Sequence, residues 1–291
     1  MSPTVNTNLE SKIIRTSPFL KWAGGKGRLL AQLDPLFPKA NSYKRYFEPF
    51  LGGGAVFFHL ASKNTALESF LSDANFELIN CYQAVKNQPT ELLSLLANMR
   101  NDKHFFYKVR AQDITQMSEL ERAARLIYLN KTCFNGLYRV NRKGQFNVPF
   151  GKYKNPRIAD YDGVARASAL LERASLISGP FDAVTVKAKK GDFVYFDPPY
   201  QPLSKTANFT SYTLTSFGMA DQERLAALVG RLTKEGVKVM VSNSDTPELR
   251  TLYENIPGVS ITTVQAARAI NCHGDKRGAV SELVIRNYWM S

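Results

Sequence analysis

The stretch YFDPPYQPL, residues 195–203, ends an apolar run with a carboxylate, two prolines and a tyrosine. Residues 193–196 have the short apolar pattern of a buried strand. Pro198 and Pro199 cannot donate ladder hydrogen bonds, so we expect the chain to leave the sheet rigidly, with Asp197 at the carboxyl edge. Open α/β sheets bind ligands at that edge. Asp-Pro also starts many ordinary turns, and for the motif by itself this alternative stays open.

A related pattern lies nearer the amino terminus. The sequence YFEPFLGGGAVFFHL, residues 46–60, predicts a short strand, a glycine-rich turn and the start of an apolar helix. LESFLSDAN, residues 67–75, predicts a second strand that ends at Asp73. A nucleotide-binding half-domain has the same order of elements: strand, glycine turn, helix, strand and acid. Because the glycines are contiguous rather than spaced as G-x-G-x-x-G, a tight turn without a ligand is the alternative.

Strands and helices alternate again after residue 160. The patterns in order are a strand GDFVYFD (191–197), an amphipathic helix DQERLAALVGRL (221–232), a strand VKVMVSN (237–243) and a last strand AVSELVIRNY (279–288). The sequence therefore predicts an α/β fold with a doubly wound sheet. We expect residues 1–75 and 160–291 to form that discontinuous domain and residues 76–159 to be inserted into it.

The inserted segment is predicted to be mainly helical and then becomes strongly basic. Its leucines recur at helical spacing, and Ser118 and Glu121 have the spacing of a capping box. Residues 131–157 contain seven basic and no acidic residues, with five aromatic side chains among them. Gly144 separates two short extended runs and indicates a hairpin.

Charge is the unusual feature of the composition. The chain has 38 Lys and Arg against 25 Asp and Glu, a net charge of +13 and a pI near 9.6. This balance favours a polyanionic partner, with nucleic acid the first candidate and a solvated basic surface the alternative. Three scattered cysteines and three scattered histidines lack metal-site spacing, so we expect reduced thiols and no metal. We find no export signal or membrane-spanning run and expect a cytoplasmic protein.

The stretch KWAGGKGRLL, residues 21–30, superficially matches a phosphate-binding loop. The match fails because that loop needs glycine where this chain has Leu20 and serine or threonine where it has Gly27. ATP hydrolysis is therefore not expected. The glycines suit a turn that brings Lys26 close to a small ligand, and a plain helix-entry turn is the alternative.

Five motifs together carry a family resemblance: FLKWAGGKG, FEPFLGGGAVFF, LSDAN, NGLYRVNRKGQFNVPFGKY and YFDPPYQPLSKTANFTSY. In this order they resemble the Dam-type (alpha-group, D12 class) DNA adenine-N6 methyltransferases, from about Pro18 to about Tyr288. The resemblance implies a Rossmann-like methyltransferase sheet with an inserted target-recognition domain. It also implies S-adenosylmethionine as methyl donor, double-stranded DNA as substrate and a prokaryotic or phage origin. Whether a restriction endonuclease accompanies the enzyme stays open.

The resemblance also implies roles for individual residues. It assigns the S-adenosylmethionine pocket to Trp22, Lys26, Glu48, Phe50, Gly52, Asp73 and Asp197. It assigns target-site contacts, in most of this family to GATC, to Lys21, Leu137, Arg139, Pro149, Tyr153 and Asn208. The first seventeen residues lie outside the resemblance. The basic flank of Lys152 and Lys154 varies in the family, which leaves the preferred flanking sequence undetermined.

The catalytic residues implied by the resemblance are Asp197, Pro198 and Tyr200. An adenine amino group is a poor nucleophile because its lone pair is delocalised into the ring. Two acceptors, the Asp197 carboxylate and the Pro198 carbonyl, would localise that pair. Tyr200 would stack on a base that has left the duplex. The alternatives are another DNA site, adenine in RNA, a glutamine amide, or a catalytically silent DNA-binding module. Amide enzymes usually carry Asn where this chain has Asp197.

Overall fold

The computed structural model describes residues 17–200, 217–267 and 279–289. Its centre is a seven-stranded sheet with the order β3-β2-β1-β4-β5-β7-β6. The strands are β1 Arg45–Glu48, β2 Glu68–Asp73, β3 Ala174–Ser178, β4 Phe193–Phe196, β5 Lys238–Ser244, β6 Ser260–Ala267 and β7 Ala279–Arg286. Strands β1 to β5 pair in parallel, and β7 runs antiparallel to both β5 and β6. The strand order reverses between β1 and β4, and ligands bind at such a point in open α/β sheets.

Helices cover both faces of this sheet. They are α1 Leu30–Leu33, α2 Ala55–Lys63, α3 Phe76–Asn87, α4 Pro89–Ala97, α5 Lys103–Arg110, α6 Glu119–Thr132, α7 Tyr161–Leu171, α8 Phe181–Thr185, α9 Met219–Lys234 and α10 Pro247–Glu254. One buried cluster joins the sheet to α2, α3 and α7 and continues into the inserted helices. A second cluster joins the opposite face to α8, α9 and α10. The fold is therefore α/β and doubly wound, as the sequence predicts.

The strands predicted from apolar runs are all present. The sheet also contains two strands that the sequence patterns do not reveal, β3 and β6. Both are edge strands, paired on one side within the described sheet. Edge strands bury less of each side chain, so β3 (ASLIS) and β6 (SITTVQAA) carry polar residues that weaken the apolar signal. No helix in the described ranges combines the length and apolar character needed to cross a bilayer.

The inserted segment is mainly helical, and helix α3 connects it to the sheet. Lys86 in α3 donates a 2.7 Å hydrogen bond to the carbonyl of Ala174 in β3. Asn80 in the same helix donates a 2.8 Å hydrogen bond to the carbonyl of Glu119 in α6. Helix α3 thus contacts both parts of the chain, and the predicted division at residues 75 and 76 stays a prediction.

Residues 139–147 form the predicted hairpin. Val140 and Phe146 form an antiparallel bridge, and the backbone nitrogen of Asn147 donates to the carbonyl of Arg139 at 3.0 Å. Gly144 lies in the turn and donates to the carbonyl of Asn141. The basic, aromatic part of the insert is therefore an ordered extension beyond the carboxyl end of α6.

The start of α6 allows a test of a single local interaction. Ser118 accepts a hydrogen bond from the Glu121 backbone, while the Glu121 carboxylate accepts one from the Ser118 backbone, which completes the predicted capping box. Ser118→Ala should lower the free energy of unfolding by about 0.5–2 kcal/mol because the first turn loses its cap. Urea denaturation followed by circular dichroism measures this difference. The exposed Ser94→Ala in α4 is the control, and equal effects of the two substitutions would contradict the cap.

Candidate active site at the carboxyl edge of the sheet

A cavity of about 770 Å³ opens where β1, β2 and β4 end. Every residue that the sequence assigned to cofactor binding or catalysis lines it: Trp22, Lys26, Glu48, Phe50, Gly52, Asp73, Asp197, Pro198 and Tyr200. The parallel strands bring these residues to one edge although they are far apart in sequence. The roles assigned to them stay predictions.

The glycine triplet forms the tight turn between β1 and α2. Gly54 has a φ of 69°, and a Cβ added there would lie 2.6 Å from the hydroxyl oxygen of Tyr82. A side chain at this position would therefore both strain the backbone and displace Tyr82. The Tyr82 hydroxyl in turn donates a 3.1 Å hydrogen bond to the carbonyl of Gly52. This contact fixes the turn that forms one wall of the cavity.

Asp73, at the end of β2, is tied to the same turn. One of its carboxylate oxygens accepts a hydrogen bond from the Gly52 backbone at 3.0 Å, and the other accepts one from the Asn75 backbone at 2.9 Å. Burial raises the pKa of Asp73, and these two hydrogen bonds oppose that rise. The side chain is thus an oriented acceptor beside the cavity.

Glu48, at the end of β1, is buried, with 2% of its surface exposed. Its carboxylate accepts a 2.8 Å hydrogen bond from the hydroxyl of Tyr46. Burial raises the pKa of Glu48 well above its ordinary value, and the nearby carboxylates of Asp197 and Asp73 raise it further. Three carboxyl groups therefore line the cavity, and a cationic ligand would favour their ionised forms.

Lys26 and Asp197 form an ion pair at the mouth of the cavity. The ammonium nitrogen lies 2.6 Å from a carboxylate oxygen of Asp197 and 3.1 Å from the carbonyl of Gly24. Burial raises the pKa of Asp197 to about 6, while the positive charge of Lys26 opposes that rise and the negative charge of Glu282 adds to it. Lys26 itself is 4% exposed. The turn from KWAGGKG thus brings Lys26 to the end of β4.

Tyr200 closes this group of side chains. The Lys26 ammonium lies 4.6 Å from the centre of the Tyr200 ring, and the Tyr200 hydroxyl donates a hydrogen bond to the carboxylate of Glu282 in β7. The sequence patterns did not identify Glu282. Its signal is the one acidic residue in a mainly apolar strand, AVSELVIR, where a carboxylate needs a polar partner when it is partly buried.

An aromatic cluster forms another wall of the cavity. The ring of Phe50 stacks on Phe181 with 5.4 Å between centroids and meets Phe217 edge to face at 5.5 Å. All three rings line the cavity. The sequence motifs predict Phe50 as a site residue but not Phe181 or Phe217. Each of these is a single phenylalanine in a segment without a motif, so no sequence signal distinguishes it.

The predicted DNA-contacting residues within the described ranges lie on the insert side and are not among those that line the cavity. Lys21 is held by the buried Asn130, whose side chain accepts from the Lys21 backbone nitrogen at 2.9 Å and donates to the Lys21 carbonyl at 2.7 Å. Asn130 also donates to the carbonyl of Gly136 at 2.9 Å. Gly136 has a φ of 62°, and a Cβ there would lie 2.5 Å from the Lys21 side chain. Sequence patterns gave no indication of Asn130.

Two ring contacts also connect Lys21 and Trp22 to the insert. Trp22, which lines the cavity, stacks on Tyr138 with 5.3 Å between ring centroids. The Lys21 ammonium lies 4.2 Å from the centre of the Tyr153 ring. The cavity wall and the basic hairpin are therefore in direct contact.

The remaining predicted DNA contacts lie along the hairpin region. The Arg139 guanidinium donates to the side-chain oxygen of Asn147 at 2.6 Å. Leu137 is half-buried, and the exposed Pro149 accepts a backbone hydrogen bond from Phe134 through its carbonyl. Asn208 lies outside the described residues. Within the described part of the chain, no group of three or more acidic, histidine or cysteine side chains could hold a metal ion.

Comparisons with known proteins identify the family to which the chain belongs. The sequence model of the D12 class N6 adenine-specific DNA methyltransferases matches residues 22–270. The chain is 44% identical to the type II methyltransferase M.MjaIII of Methanocaldococcus jannaschii, with 94% of this chain and 100% of that protein covered. It is 37% identical to a DNA adenine methylase of Vibrio cholerae, with 91% and 94% covered.

Among solved structures, the chain is similar to an O-methyltransferase from Bacillus cereus in complex with SAH. The identity is 13%, the TM-score is 0.39, and 90% of this chain and 80% of that chain are covered. The family match extends from the loop that carries Lys26, through β1 and the insert, into β6. The chain therefore belongs to the D12 class of N6 adenine-specific DNA methyltransferases.

Proposed function

We propose that the protein transfers a methyl group from S-adenosylmethionine to N6 of an adenine that has left the DNA duplex, within the sequence GATC. The observation that carries the proposal is Asp197, a carboxylate fixed by Lys26 at the end of β4 where the cavity meets the Tyr200 ring. This is the arrangement needed to hold an amino group between a methyl donor and an aromatic surface.

The cavity residues fit S-adenosylmethionine chemically. The ligand carries a sulfonium and an ammonium group, and Glu48, Asp73 and Asp197 surround the cavity with carboxyl oxygens. Phe50, with its two neighbouring rings, offers an aromatic surface of the kind that packs against a purine. Asp73 lies where a ribose hydroxyl binds in nucleotide-binding half-domains. When bound, the ligand would supply an electrophilic methyl group on a positively charged leaving group.

Asp197 and Pro198 would make the adenine amino group reactive. The Asp197 carboxylate can accept one N6 hydrogen, and the Pro198 carbonyl, restrained by Pro199, can accept the other. Two acceptors draw the nitrogen toward tetrahedral geometry and localise its lone pair. The cation that forms on N6 then loses a proton, and Asp197, whose pKa is raised to about 6, can receive it. Alignment with the methyl donor supplies much of the remaining rate.

Tyr200 would bind the face of the extruded base. Taking a base out of the stack costs a few kcal/mol. Stacking on an aromatic side chain returns about 1–3 kcal/mol. Its contacts with Lys26 and Glu282 support this role because they hold the ring in place beside Asp197.

The hairpin region would read the DNA sequence. Arg139 donates to both the side-chain oxygen and the backbone carbonyl of Asn147. A guanidinium has five N–H donors, and arginine can bond guanine O6 and N7 together. Leu137 and Pro149 are apolar and suit a thymine methyl group. Lys21 and Tyr153, in contact with each other, would add a contact near the cavity. The net charge of +13 supports binding to the phosphate backbone.

Two relatives, including M.MjaIII, carry the name type II methyltransferase. We predict that this chain is paired with a restriction endonuclease. We also predict that it is cytoplasmic. Methylation of another DNA site is the main alternative outcome of the experiment that follows.

The proposal is tested by methyl transfer from labelled S-adenosylmethionine to duplexes that differ at one GATC site. We expect N6-methyladenine, identified by mass spectrometry of nucleosides, in the GATC duplex and in no other. Asp197→Ala should abolish the product because the amino group loses an acceptor, whereas Asp162→Ala, an exposed acid in α7, should not change it. Methylation without the site would overturn GATC, and methylation of RNA alone would overturn the DNA substrate.

The rate should depend on pH through Asp197. Its carboxylate accepts hydrogen bonds when ionised, and its pKa is raised to about 6, so activity should fall as the pH drops through about 6. Lys26→Met removes the charge that opposes the rise in the Asp197 pKa, so the acid limb should move to higher pH. The measurement is the pH profile of the initial rate with DNA and S-adenosylmethionine both far below saturation. The exposed Lys63→Met is the control, and an unchanged limb in Lys26→Met would contradict the assignment.

Arg139→Ala should remove discrimination at one base pair of the site. The loss of a two-bond guanine contact is expected to reduce the preference for the intact site by about 1–3 kcal/mol. Equilibrium binding to duplexes with single base-pair changes measures it. Arg142→Ala, an exposed arginine in the same hairpin, should weaken binding to all sequences alike. Asn147→Ala controls for loss of the side-chain bond between Arg139 and Asn147, and equal weakening of all duplexes by Arg139→Ala would refute base reading.

A further inference from the structure

Glu282 occupies an unusual position in the sheet. It lies in β7, between Ser244 of β5 and Val264 of β6, and is followed by the buried residues 283–285. Because β7 runs antiparallel to β5, this residue lies at the edge where the parallel strands have their carboxyl ends. Glu282 is partly buried, and a carboxylate that loses part of its contact with water is stabilised by a polar partner. Its partner is the hydroxyl group of Tyr200.

The direction of this hydrogen bond is well defined. Burial raises the pKa of Tyr200 well above its ordinary value, and the negative charges of Asp197 and Glu282 raise it further. The phenol therefore keeps its proton and donates it to the Glu282 carboxylate. Hydrogen bonds to a charged acceptor are about twice as strong as neutral ones. This contact joins the end of the DPPY segment to a strand more than eighty residues later in sequence.

The contact restrains the ring of Tyr200 at a defined point. A tyrosine side chain has two rotatable bonds that place its ring. The prolines restrict the backbone before Tyr200 but leave these two bonds free to turn. The hydroxyl contact to Glu282 fixes the far end of the ring, and the Lys26 ammonium lies 4.6 Å from its centre. The far end of the ring is thus held by β7, and its face lies against the Lys26 ammonium.

We propose that Glu282 is a positioning residue for methyl transfer: it holds the Tyr200 hydroxyl and so fixes the ring against which the target adenine stacks. The inference rests on the proposed function in one respect, the stacking of the base on Tyr200. It does not depend on the GATC sequence. Glu282 is assigned no direct contact with the base or the methyl donor.

A second role for the carboxylate has to be separated from this one. Asp197 faces several charged or titratable groups: Lys26 from the amino-terminal loop, Glu282 from β7, Glu48 from β1 and Tyr195 from β4. Glu282 could therefore act by its charge on Asp197 rather than by its hydrogen bond to Tyr200. Glu282→Gln separates the two because the amide oxygen still accepts from the hydroxyl but carries no charge.

The experiment compares single-turnover methyl transfer by the full chain and its variants on unmethylated DNA of mixed sequence at pH 8. We expect Glu282→Ala to slow the step by about 10- to 100-fold, the size expected for one lost hydrogen bond to a charged group. Glu282→Gln should stay within about threefold of the parent, since the bond is kept. Glu248→Ala, an exposed glutamate in α10, is the matched control and should be unchanged.

A double-mutant cycle with Tyr200→Phe tests whether Glu282 acts through the hydroxyl. Once the hydroxyl is absent, adding Glu282→Ala should slow the step by less than about twofold further. Binding of S-adenosylhomocysteine, measured by calorimetry, should be the same in all variants because Glu282 is not among the residues that line the cavity and Tyr200→Phe keeps the ring that lines it. Equal binding and a normal melting temperature also show that the variants are folded.

Three results would overturn the inference. One is a parent-like rate for Glu282→Ala, and another is a double variant whose loss is the product of the two single losses. The third is methyl transfer by Glu282→Gln that is as slow as methyl transfer by Glu282→Ala. That result would assign the effect to the charge of Glu282 rather than to its hydrogen bond. Failure of the proposed function is distinct, since it would appear as absence of N6-methyladenine with the unsubstituted protein.

Discussion

The buried ion pair between Lys26 and Asp197 is the interaction on which the candidate site depends. It joins the loop before β1 to the end of β4, two segments that the sequence separates by about 170 residues. Because Lys26 is 4% exposed and Asp197 18%, removing either charge would leave the other one largely desolvated and unpaired, at a cost below the about 3–5 kcal/mol of a fully buried pair. The pair also opposes the effect of burial on the Asp197 carboxylate, which keeps an acceptor available near neutral pH. The same contact therefore holds two segments of the chain together and keeps the Asp197 carboxylate available as an acceptor.

The loop held by this ion pair also connects the cavity to the basic hairpin. Lys21 and Trp22 precede Lys26, and Asn130 in α6 fixes the Lys21 backbone through two hydrogen bonds. Trp22 lines the cavity on one side and stacks on Tyr138 on the other. A ligand that displaces Trp22 would therefore press directly on the segment that carries the proposed DNA contacts. The two parts of the protein form one packed unit rather than two bodies on a linker.

Much of this arrangement could be predicted from sequence because short motifs mark it. Strands that end in an acid, such as the one before Asp197, predict both the α/β fold and the edge where the site forms. The edge strands β3 and β6 are not predicted, because their partial burial permits polar residues that weaken the apolar pattern. There is a different reason why sequence patterns do not predict Glu282, Phe181 and Asn130. Each acts through a partner that is distant in sequence, and a single sequence does not identify that partner. Motifs report local geometry, whereas these contacts are set by tertiary packing.

The position of β7 has a consequence for how the protein is made. This strand lies between β5 and β6, yet both of them are synthesised before it. While the chain is still on the ribosome, β5 and β6 present unpaired backbone edges, which are prone to pair with other chains. Tyr200 likewise has no Glu282 to bind until the ribosome has passed codon 282. The pairing of β5 and β6 through β7 and the contact between Tyr200 and Glu282 therefore both wait for the same strand.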